Sequence, residues 1–360
     1  MMKKTFLIFV LLVSGWLMST AEVMERVVLY PSVNPQGDTI TLSGKLCVPM
    51  GKKPKGLILI PHYTITSKYQ APSVKPTGEA AFFKDDYVLV MPDYIGYGVT
   101  AEMEHPYLAG ELTAHNCIDM LFGVQPVLDS LQCGVNTDSL YIVGYSQGGA
   151  SAVWIFKVLE EQYPDRFHVL GCYAGGGPYD VTATYEDALQ RKKVFMPIVI
   201  PMVVMGADVA YDLKLDRTAF FTPEMQEIYT KYVANKEYTT TDIFFHVRSH
   251  RIDRWLTPLA LDPTNPEMLP LYEAFKRFSI VRYPLNDEVA DREVICLDWT
   301  PKAPLYIFHS KGDNVVTVHC AEHLRRCLPD APNIRFDIGR YGSHTHASAR
   351  FFKRVRKMLR

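Results

Sequence analysis

The sequence lacks most of the features that mark metal-binding, membrane-spanning or nucleic-acid-binding proteins. No C-x-x-C pair and no H-E-x-x-H motif occurs, so local spacing indicates no metal site. The formal net charge is −1, which gives no electrostatic reason to bind nucleic acid or an anionic membrane surface. Beyond the N-terminus, the best candidate for a membrane span, 194–205, is too short and contains Pro197 and Pro201. We therefore expect no metal or other cofactor, no nucleic-acid partner and no stable membrane insertion.

The N-terminus has the pattern of an export signal. Two lysines precede an apolar run at 6–18, and small residues at 19–21 supply a cleavage site. The run is too short to span a bilayer comfortably and is followed by polar sequence, which favours a cleaved signal peptide at 1–21 over a membrane anchor. We predict that the mature chain begins near Glu22 and is secreted or periplasmic.

Length and cysteine content set further bounds. A chain of 360 residues that is 48% apolar can bury a large core, and one α/β domain with an insertion fits as well as two small domains. Export permits disulfides, but seven cysteines leave at least one thiol unpaired within the chain. Cys320 and Cys327 are about 10 Å apart if both lie on one helix, which is too far for a bridge between them.

Short apolar runs predict strands that alternate with helices. We expect strands at 26–30, 39–48, 57–60, 87–91, 140–143, 169–173, 305–308 and 333–338. We expect helices at 113–132, 150–160, 319–326 and 348–359. This alternation predicts an α/β fold with a mostly parallel central sheet flanked by helices. The stretch 181–299 breaks the pattern and is rich in aromatic residues, so we interpret it as a helical cap, or lid, inserted between core segments 22–180 and 300–360.

The pattern G-x-S-x-G occurs at 144–148, with Ser146 at its centre. An apolar strand precedes it and a helix rich in small residues follows, which is the setting of a nucleophile on a tight strand-to-helix turn. The N-terminus of that helix would place positive partial charge beside a developing oxyanion. The structural alternative is a glycine-rich turn in which Ser146 caps the helix.

A serine hydroxyl becomes nucleophilic only when a base removes its proton, and a carboxylate must orient that base. Asp313 lies in a polar loop after the strand at 305–308, where an Asx turn is the alternative explanation. His344 and His346 both follow the last predicted strand. We favour His344 as the base because it lies nearer that strand, in the loop before the final helix. His346 is then expected in the first helical turn, at the surface or facing the cap.

Several segments of the chain carry a recognisable signature. They are PHYTITS at 61–67, PDYIGYG at 92–98, HPYL at 105–108, GYSQGG at 144–149 and GPYD at 177–180. Together they resemble the α/β-hydrolase superfamily and, within it, the secretory lipase (lipase A-like) branch and its bacterial relatives. The resemblance implies an α/β-hydrolase fold with a catalytic triad of Ser146, Asp313 and His344.

The resemblance also implies an oxyanion hole made by two backbone N–H groups. One belongs to Gln147 and the other to Tyr63 or Thr64, because His-Tyr-Thr stands here where the family usually has His-Gly-Thr. We expect the neighbouring His62 and Asp93 to be structural. We expect substrate contacts from aromatic residues beside the nucleophile, at the pocket mouth and in the cap, namely Tyr145, Tyr94, Tyr97, Phe221 and Trp255.

These observations favour an exported serine hydrolase that cleaves carboxylic esters, of the esterase or lipase type, through an acyl-enzyme. The apolar composition of the predicted cap favours an apolar acyl group. A serine peptidase of the prolyl-oligopeptidase-like type is the enzymatic alternative, since it has the same core and the same order of triad residues. A non-catalytic binding protein on a hydrolase scaffold is the alternative from another class.

Overall fold

One mixed sheet organises the protein. The structure is a computed structural model that describes residues 22–247, 250–283, 294–296 and 298–360, so the predicted signal peptide lies outside the described residues. The strands are β1 (Val23–Val33), β2 (Thr39–Pro49), β3 (Leu57–Leu59), β4 (Val88–Pro92), β5 (Ser139–Tyr145), β6 (His168–Gly175), β7 (Leu305–Ser310) and β8 (Ile334–Gly339). They form an 8-stranded sheet in the order β1-β2-β4-β3-β5-β6-β7-β8. Each predicted strand overlaps one of these.

The sheet is antiparallel at one edge and parallel elsewhere. β2 pairs antiparallel with both β1 and β4, whereas the remaining pairs, from β4·β3 across the sheet to β7·β8, are parallel. The short strands β3 and β4 are buried throughout, as expected for strands covered on both faces. This arrangement confirms the predicted mostly parallel sheet. It also brings the loops after β3, β5, β7 and β8 to one edge, where ligands bind in open α/β sheets.

Helices cover both faces of the sheet. The α-helices are α1 (Gly110–Leu131), α2 (Gln147–Gln162), α3 (Val181–Arg191), α4 (Val199–Tyr211), α5 (Arg217–Phe220), α6 (Pro223–Ile228), α7 (Thr240–His246), α8 (Pro258–Leu261), α9 (Leu269–Phe278), α10 (His319–Cys327) and α11 (His344–Met358). Shorter helical turns are Lys68–Gln70, Gly78–Phe82, Gly98–Thr100, Tyr229–Ala234, Ile252–Arg254 and Pro266–Met268. Helices α1, α2 and α10 share one apolar core with the sheet, while α11 packs on the opposite face through Phe351, Phe352 and Val355.

The chain between β6 and β7, which we call the insertion, contains α3 to α9 in its described part. These helices surround an apolar core of their own, in which Trp255 and Phe275 have no exposed surface. Tyr107, from the loop before α1, joins the same cluster and connects the insertion to the sheet domain.

The buried Asp180 holds both ends of the insertion. Its Oδ1 accepts a hydrogen bond from the N–H of Ala183 (2.8 Å) and so caps α3. Its Oδ2 accepts from the N–H of Tyr283 (2.9 Å) and contacts His323 Nδ1 of α10 (2.8 Å). One carboxylate thereby joins the start and the return of the insertion to a core helix.

A disulfide between Cys296 and Cys327 adds a covalent link at the same place, with its Cα atoms 5.1 Å apart. It connects the return of the insertion to the last residue of α10. Cys320 is a free, buried thiol, so the expectation that Cys320 and Cys327 do not pair with each other is confirmed.

Candidate active site

Ser146 lies on a strained turn between β5 and α2. Its backbone has φ 60° and ψ −125°, and its N–H donates to Gly175 O at 2.8 Å. The turn is crowded by backbone on two sides. A Cβ on Gly144 would lie 2.0 Å from Gly148 O, and a Cβ on Gly148 would lie 2.0 Å from Pro61 O. Glycine at both positions is therefore what allows the turn to form.

A continuous chain of hydrogen bonds joins Ser146, His344 and Asp313. Ser146 Oγ lies 2.9 Å from His344 Nε2, and His344 Nδ1 lies 2.6 Å from Asp313 Oδ2. Ser146 occupies the N-cap position of α2 but its side chain makes no capping hydrogen bond, so its hydroxyl is directed to the imidazole. The His344 side chain is 12% exposed while that of Asp313 is fully buried, which leaves only the serine end open to a substrate.

Asp313 is held by its own loop as well as by His344. Its Oδ1 accepts hydrogen bonds from the N–H groups of Val315 and Val316, both at 2.9 Å, so the Asx turn considered above is present together with the contact to His344. Burial acts to raise the pKa of Asp313, but the neighbouring His344 and these hydrogen bonds outweigh it and keep that pKa below its usual value. The buried His309 braces the loop because its Nε2 lies 3.2 Å from Val316 O.

The base candidate His344 is the first residue of α11, not a loop residue as expected. Helix α11 starts earlier than the sequence predicted because Ser343 takes the extended N-cap conformation. The backbone of His344 is fixed by Asn314 Oδ1, which accepts from its N–H (3.2 Å), and by the Tyr145 hydroxyl, which donates to its carbonyl (2.8 Å). His346 is exposed, and its Nδ1 lies 2.9 Å from Ser343 Oγ.

Of the two backbone donors considered in the loop after β3, the N–H groups of Tyr63 and Thr64, one is free. The N–H of Tyr63 donates to Glu79 Oε1 at 3.2 Å and is therefore occupied. Within the described residues, the N–H groups of Thr64 and Gln147 make no hydrogen bond. Thr64 and Ser146 line the same cavity, and Gln147 directly follows the serine at the N-terminus of α2.

His62 and its neighbours brace this loop from below. The ring nitrogens of His62 face Tyr63 O (2.6 Å) and Asp93 O (3.1 Å), and its ring stacks on Tyr94 with centroids 4.0 Å apart. Burial lowers the pKa of His62, so its imidazole stays neutral. The Tyr97 hydroxyl donates to Ile65 O at 2.5 Å. These contacts make His62 a structural residue, as expected.

Above Ser146 lies a cavity of about 630 Å³ between the sheet domain and the insertion. Its walls are mainly apolar and include Val181, Val199, Val203, Phe244, Val316 and Phe352. The polar groups at its base include Thr64, Glu79, Ser146 and His344. This volume is within the range of small-molecule sites, and the lining favours an apolar ligand.

Of the aromatic residues predicted to contact substrate, the structure places one in this cavity. Tyr145 lines it, although its hydroxyl is bound to the backbone of His344. Tyr94 and Tyr97 are buried below the loop after β3, because their hydroxyl groups donate to backbone carbonyls there. Phe221 and Trp255 are buried in the core of the insertion. The expectation that these four residues form the pocket mouth or wall was therefore wrong.

Sequence reasoning missed several residues that support the site. Gln147 Nε2 lies 3.0 Å from His105 Nε2, and His105 Nδ1 lies 2.7 Å from Ile95 O. Burial lowers the pKa of His105 to about 3, so the neutral ring donates to Ile95 O and accepts from Gln147. The Tyr107 hydroxyl lies 2.8 Å from Thr64 Oγ1. His105 and Tyr107 share the HPYL segment, which was the one signal that could have identified them.

In the described residues, no group of three or more His, Cys, Asp and Glu side chains could hold a metal ion. Among the helices in the same described residues, none is long enough and apolar enough to cross a bilayer.

Comparison with known proteins finds a family model and two relatives that match parts of this chain. Residues 77–213 match the family model of the secretory lipases. The chain is 26% identical over 247 residues to a secreted triacylglycerol lipase of Malassezia furfur, which covers 66% of this chain and 55% of that protein. A second secreted triacylglycerol lipase, from Malassezia restricta, is 24% identical over 239 residues, which covers 64% of this chain and 44% of that protein. The chain thus spans about half the length of the curated relatives it matches.

Solved structures with the same fold cover nearly the whole chain. A putative hydrolase from Legionella pneumophila has a TM-score of 0.80 at 20% identity and covers 94% of this chain and 88% of its own. The rice cell wall degrading esterase of Xanthomonas oryzae has a TM-score of 0.75 at 20% identity. The match covers 94% of this chain and 89% of the esterase. Candida antarctica lipase A in its closed state has a TM-score of 0.65 at 16% identity. The match covers 92% of this chain and 78% of the lipase.

Proposed function

We propose that this chain, an α/β-hydrolase related to the secretory lipases, is an exported serine hydrolase that cleaves carboxylic esters. The observation that carries the proposal is the hydrogen-bonded chain from Ser146 through His344 to Asp313 at the base of an apolar cavity. Such a chain supplies a nucleophile, a base and an orienting carboxylate in the order that acyl transfer requires.

In the proposed reaction, Ser146 Oγ attacks the ester carbonyl carbon while His344 Nε2 accepts the hydroxyl proton. Asp313 accepts a hydrogen bond from Nδ1–H, which selects the tautomer with a free Nε2 and stabilises the imidazolium that forms. The carbonyl oxygen becomes an oxyanion that the N–H groups of Thr64 and Gln147 stabilise. Removing one such donor raises the activation free energy by about 3 kcal/mol.

The tetrahedral intermediate collapses when its C–O bond to the alcohol breaks. His344 returns its proton to that leaving alcohol, and the acyl group remains on Ser146. A water molecule then attacks the acyl-enzyme, with His344 again taking a proton, and the carboxylic acid leaves as Ser146 recovers its hydrogen. Since the same imidazole accepts and returns a proton in both halves, its place beside Ser146 Oγ serves both steps.

The cavity favours an ester with an apolar acyl chain. Apolar side chains from the insertion and from α11 form most of its wall, and burying each methylene there stabilises binding by about 0.8 kcal/mol. The similar proteins, secreted triacylglycerol lipases and an esterase, agree with ester substrates. We therefore propose a small-molecule or lipid ester as the substrate.

A panel of p-nitrophenyl esters and aminoacyl anilides tests the reaction class. We expect ester hydrolysis whose kcat/KM rises by up to about fourfold for each added methylene until the cavity is filled. The anilides should be cleaved far more slowly. A preference for anilides would favour the peptidase alternative, and no turnover of either class would favour a binding protein.

Replacing Asp313 with asparagine should lower kcat by about 10⁴-fold, by analogy with the same change in a serine protease. An amide at this position can donate to His344 Nδ1, which would hold the imidazole in the tautomer whose Nε2 carries a proton. Steady-state kinetics on a p-nitrophenyl ester measures the effect. The exposed Asp330 provides the matched control, since Asp330→Asn should leave kcat unchanged. A loss below about tenfold in Asp313→Asn would remove Asp313 from the mechanism.

Export is proposed from the N-terminal pattern and from the secreted relatives. We expect the mature protein to be recovered outside the cytoplasm with an N-terminus near Glu22. N-terminal sequencing of the protein from the periplasmic or culture fraction measures this directly. A mature form that retains Met1 would contradict the proposed cleavage.

A further inference from the structure

Glu79 is a buried carboxyl group at the base of the cavity that the proposed mechanism does not use. Glu79 lies in the short helical turn Gly78–Phe82, and only 1% of its surface is exposed. Its Oε1 accepts from the N–H of Tyr63 (3.2 Å), and its Oε2 lies 2.5 Å from Thr77 Oγ1, a hydroxyl that can accept the carboxyl proton when Glu79 is neutral. Within the described residues, no ion pair joins Glu79 to a cation. A buried carboxyl without a cation favours its neutral form, since burying an unpaired charge is costly.

The surroundings of Glu79 do not offset that cost. Burial raises the pKa of Glu79 to about 8, and the hydrogen bonds from Thr77 and Tyr63 lower it only in part. Glu79 interacts electrostatically with the phenols of Tyr63 and Tyr94, whose pKa values are raised by burial and also by this carboxyl. The other ionisable side chains that line the cavity in the described residues are Tyr107, Tyr145, Tyr185 and His344.

Tyr63 connects Glu79 to the oxyanion hole. It directly precedes Thr64, whose N–H makes no hydrogen bond within the described residues. The Tyr63 carbonyl is fixed from the other side by His62 Nδ1 at 2.6 Å. The peptide groups on both sides of Tyr63 are therefore held, one by a carboxyl oxygen and the other by an imidazole. The direction of the Thr64 N–H depends on this pair of contacts.

We propose that Glu79 is a positioning residue that orients the oxyanion loop through Tyr63 and supports turnover only in its uncharged form. The inference rests on the proposed ester hydrolysis. Ionised Glu79 would put a negative charge close to the site where the oxyanion develops, in a region of low dielectric. It would also pull more strongly on the Tyr63 N–H and so displace the adjacent donor.

The pH dependence of Glu79→Gln provides the first test. With a pKa of about 8, the neutral fraction of Glu79 falls about tenfold between pH 7 and pH 9, and we expect kcat of the unmodified enzyme to fall by about the same factor. Glutamine keeps an oxygen that accepts from Tyr63 but cannot ionise, so kcat of Glu79→Gln should change less than twofold over this range. The exposed Glu273 supplies the control, because Glu273→Gln should follow the unmodified enzyme.

The variant Glu79→Ala tests whether Glu79 positions the loop, apart from any effect of its charge on kcat. It removes the acceptor as well as the carboxyl, so its kcat at pH 7 should fall at least tenfold below that of Glu79→Gln while KM changes less than twofold. Rates are normalised to the amount of Ser146 that a fluorophosphonate titrates, which corrects for any unfolded fraction. If Glu79→Ala does not fold, the pH dependence of kcat in Glu79→Gln, compared with that in Glu273→Gln, still tests the role of Glu79.

Two results would overturn the role of Glu79. One is a decline between pH 7 and pH 9 that is as steep in Glu79→Gln as in the unmodified enzyme. The other is equal kcat in Glu79→Ala and Glu79→Gln. Either result leaves the ester hydrolase standing if the unmodified enzyme is labelled and turns over esters. Failure of labelling and turnover in the unmodified enzyme would instead overturn the proposed function.

Discussion

Replacing Ser146 with alanine is expected to lower kcat for ester hydrolysis by about 10⁶-fold, as loss of the nucleophile does in a comparable serine enzyme. Alanine has no hydroxyl for His344 to deprotonate, so no acyl-enzyme can form. The free energy of unfolding should change little, because the hydroxyl makes no capping bond to α2. Initial rates with a p-nitrophenyl ester and thermal unfolding of the same preparation measure both effects.

Ser348 is the matched control for this change. It lines the same cavity, but its Oγ donates to Thr345 O (2.8 Å) and makes no hydrogen bond with His344. Ser348→Ala should therefore keep kcat within about threefold of the unmodified enzyme. A residual rate in Ser146→Ala within tenfold of the unmodified enzyme would exclude Ser146 as the nucleophile.

His344→Ala should reduce activity to the level of Ser146→Ala. His344 Nε2 is within hydrogen-bond reach of the serine oxygen, and Nδ1 is held by Asp313, so the imidazole is placed to move the proton in both steps. Combining His344→Ala with Ser146→Ala should lower kcat no further, because triad members act as a unit. Steady-state kinetics on the two single variants and the double variant provides the measurement.

His346→Ala is the control for the base, and it should lower kcat by less than about tenfold. On a helix, residues two apart point about 200° away from each other, and His346 is exposed with its Nδ1 against Ser343 Oγ. The opposite ranking of the two histidine variants would transfer the role of base to His346. It would leave the assignment of Ser146 untouched.

The sheet and the turn that carries the candidate nucleophile Ser146 were predictable from sequence because both have local signals. Buried parallel strands appear as short apolar runs, and the turn around Ser146 requires glycines at 144 and 148, where a side chain would meet backbone atoms. Asp313 and His344 could be located because they follow the last two strands in chain order. The fold then brings the three side chains together at the carboxyl ends of β5, β7 and β8.

The wall of the cavity could not be predicted in the same way. Apolar spacing shows that a residue is buried but not whether it faces a cavity or a packed core. Phe221 and Trp255 are buried in the insertion's own core, and Tyr94 and Tyr97 point inward because backbone carbonyls there accept from their hydroxyl groups.

Long-range polar contacts have no local signature either. Glu79 meets Tyr63 only because the turn that carries it packs below the loop after β3. The disulfide between Cys296 and Cys327 likewise joins segments that the fold brings together, and cysteine spacing alone does not determine pairing.

Mapping the site of covalent modification tests directly whether Ser146 is the nucleophile. The unmodified enzyme is treated with a fluorophosphonate, digested and analysed by mass spectrometry alongside Ser146→Ala. We predict a single phosphonyl group on Ser146, loss of ester hydrolysis in proportion to labelling, and no adduct on Ser146→Ala. Full esterase activity after exposure to the reagent with no adduct on Ser146, or an inactivating adduct on another residue, would contradict the proposed mechanism.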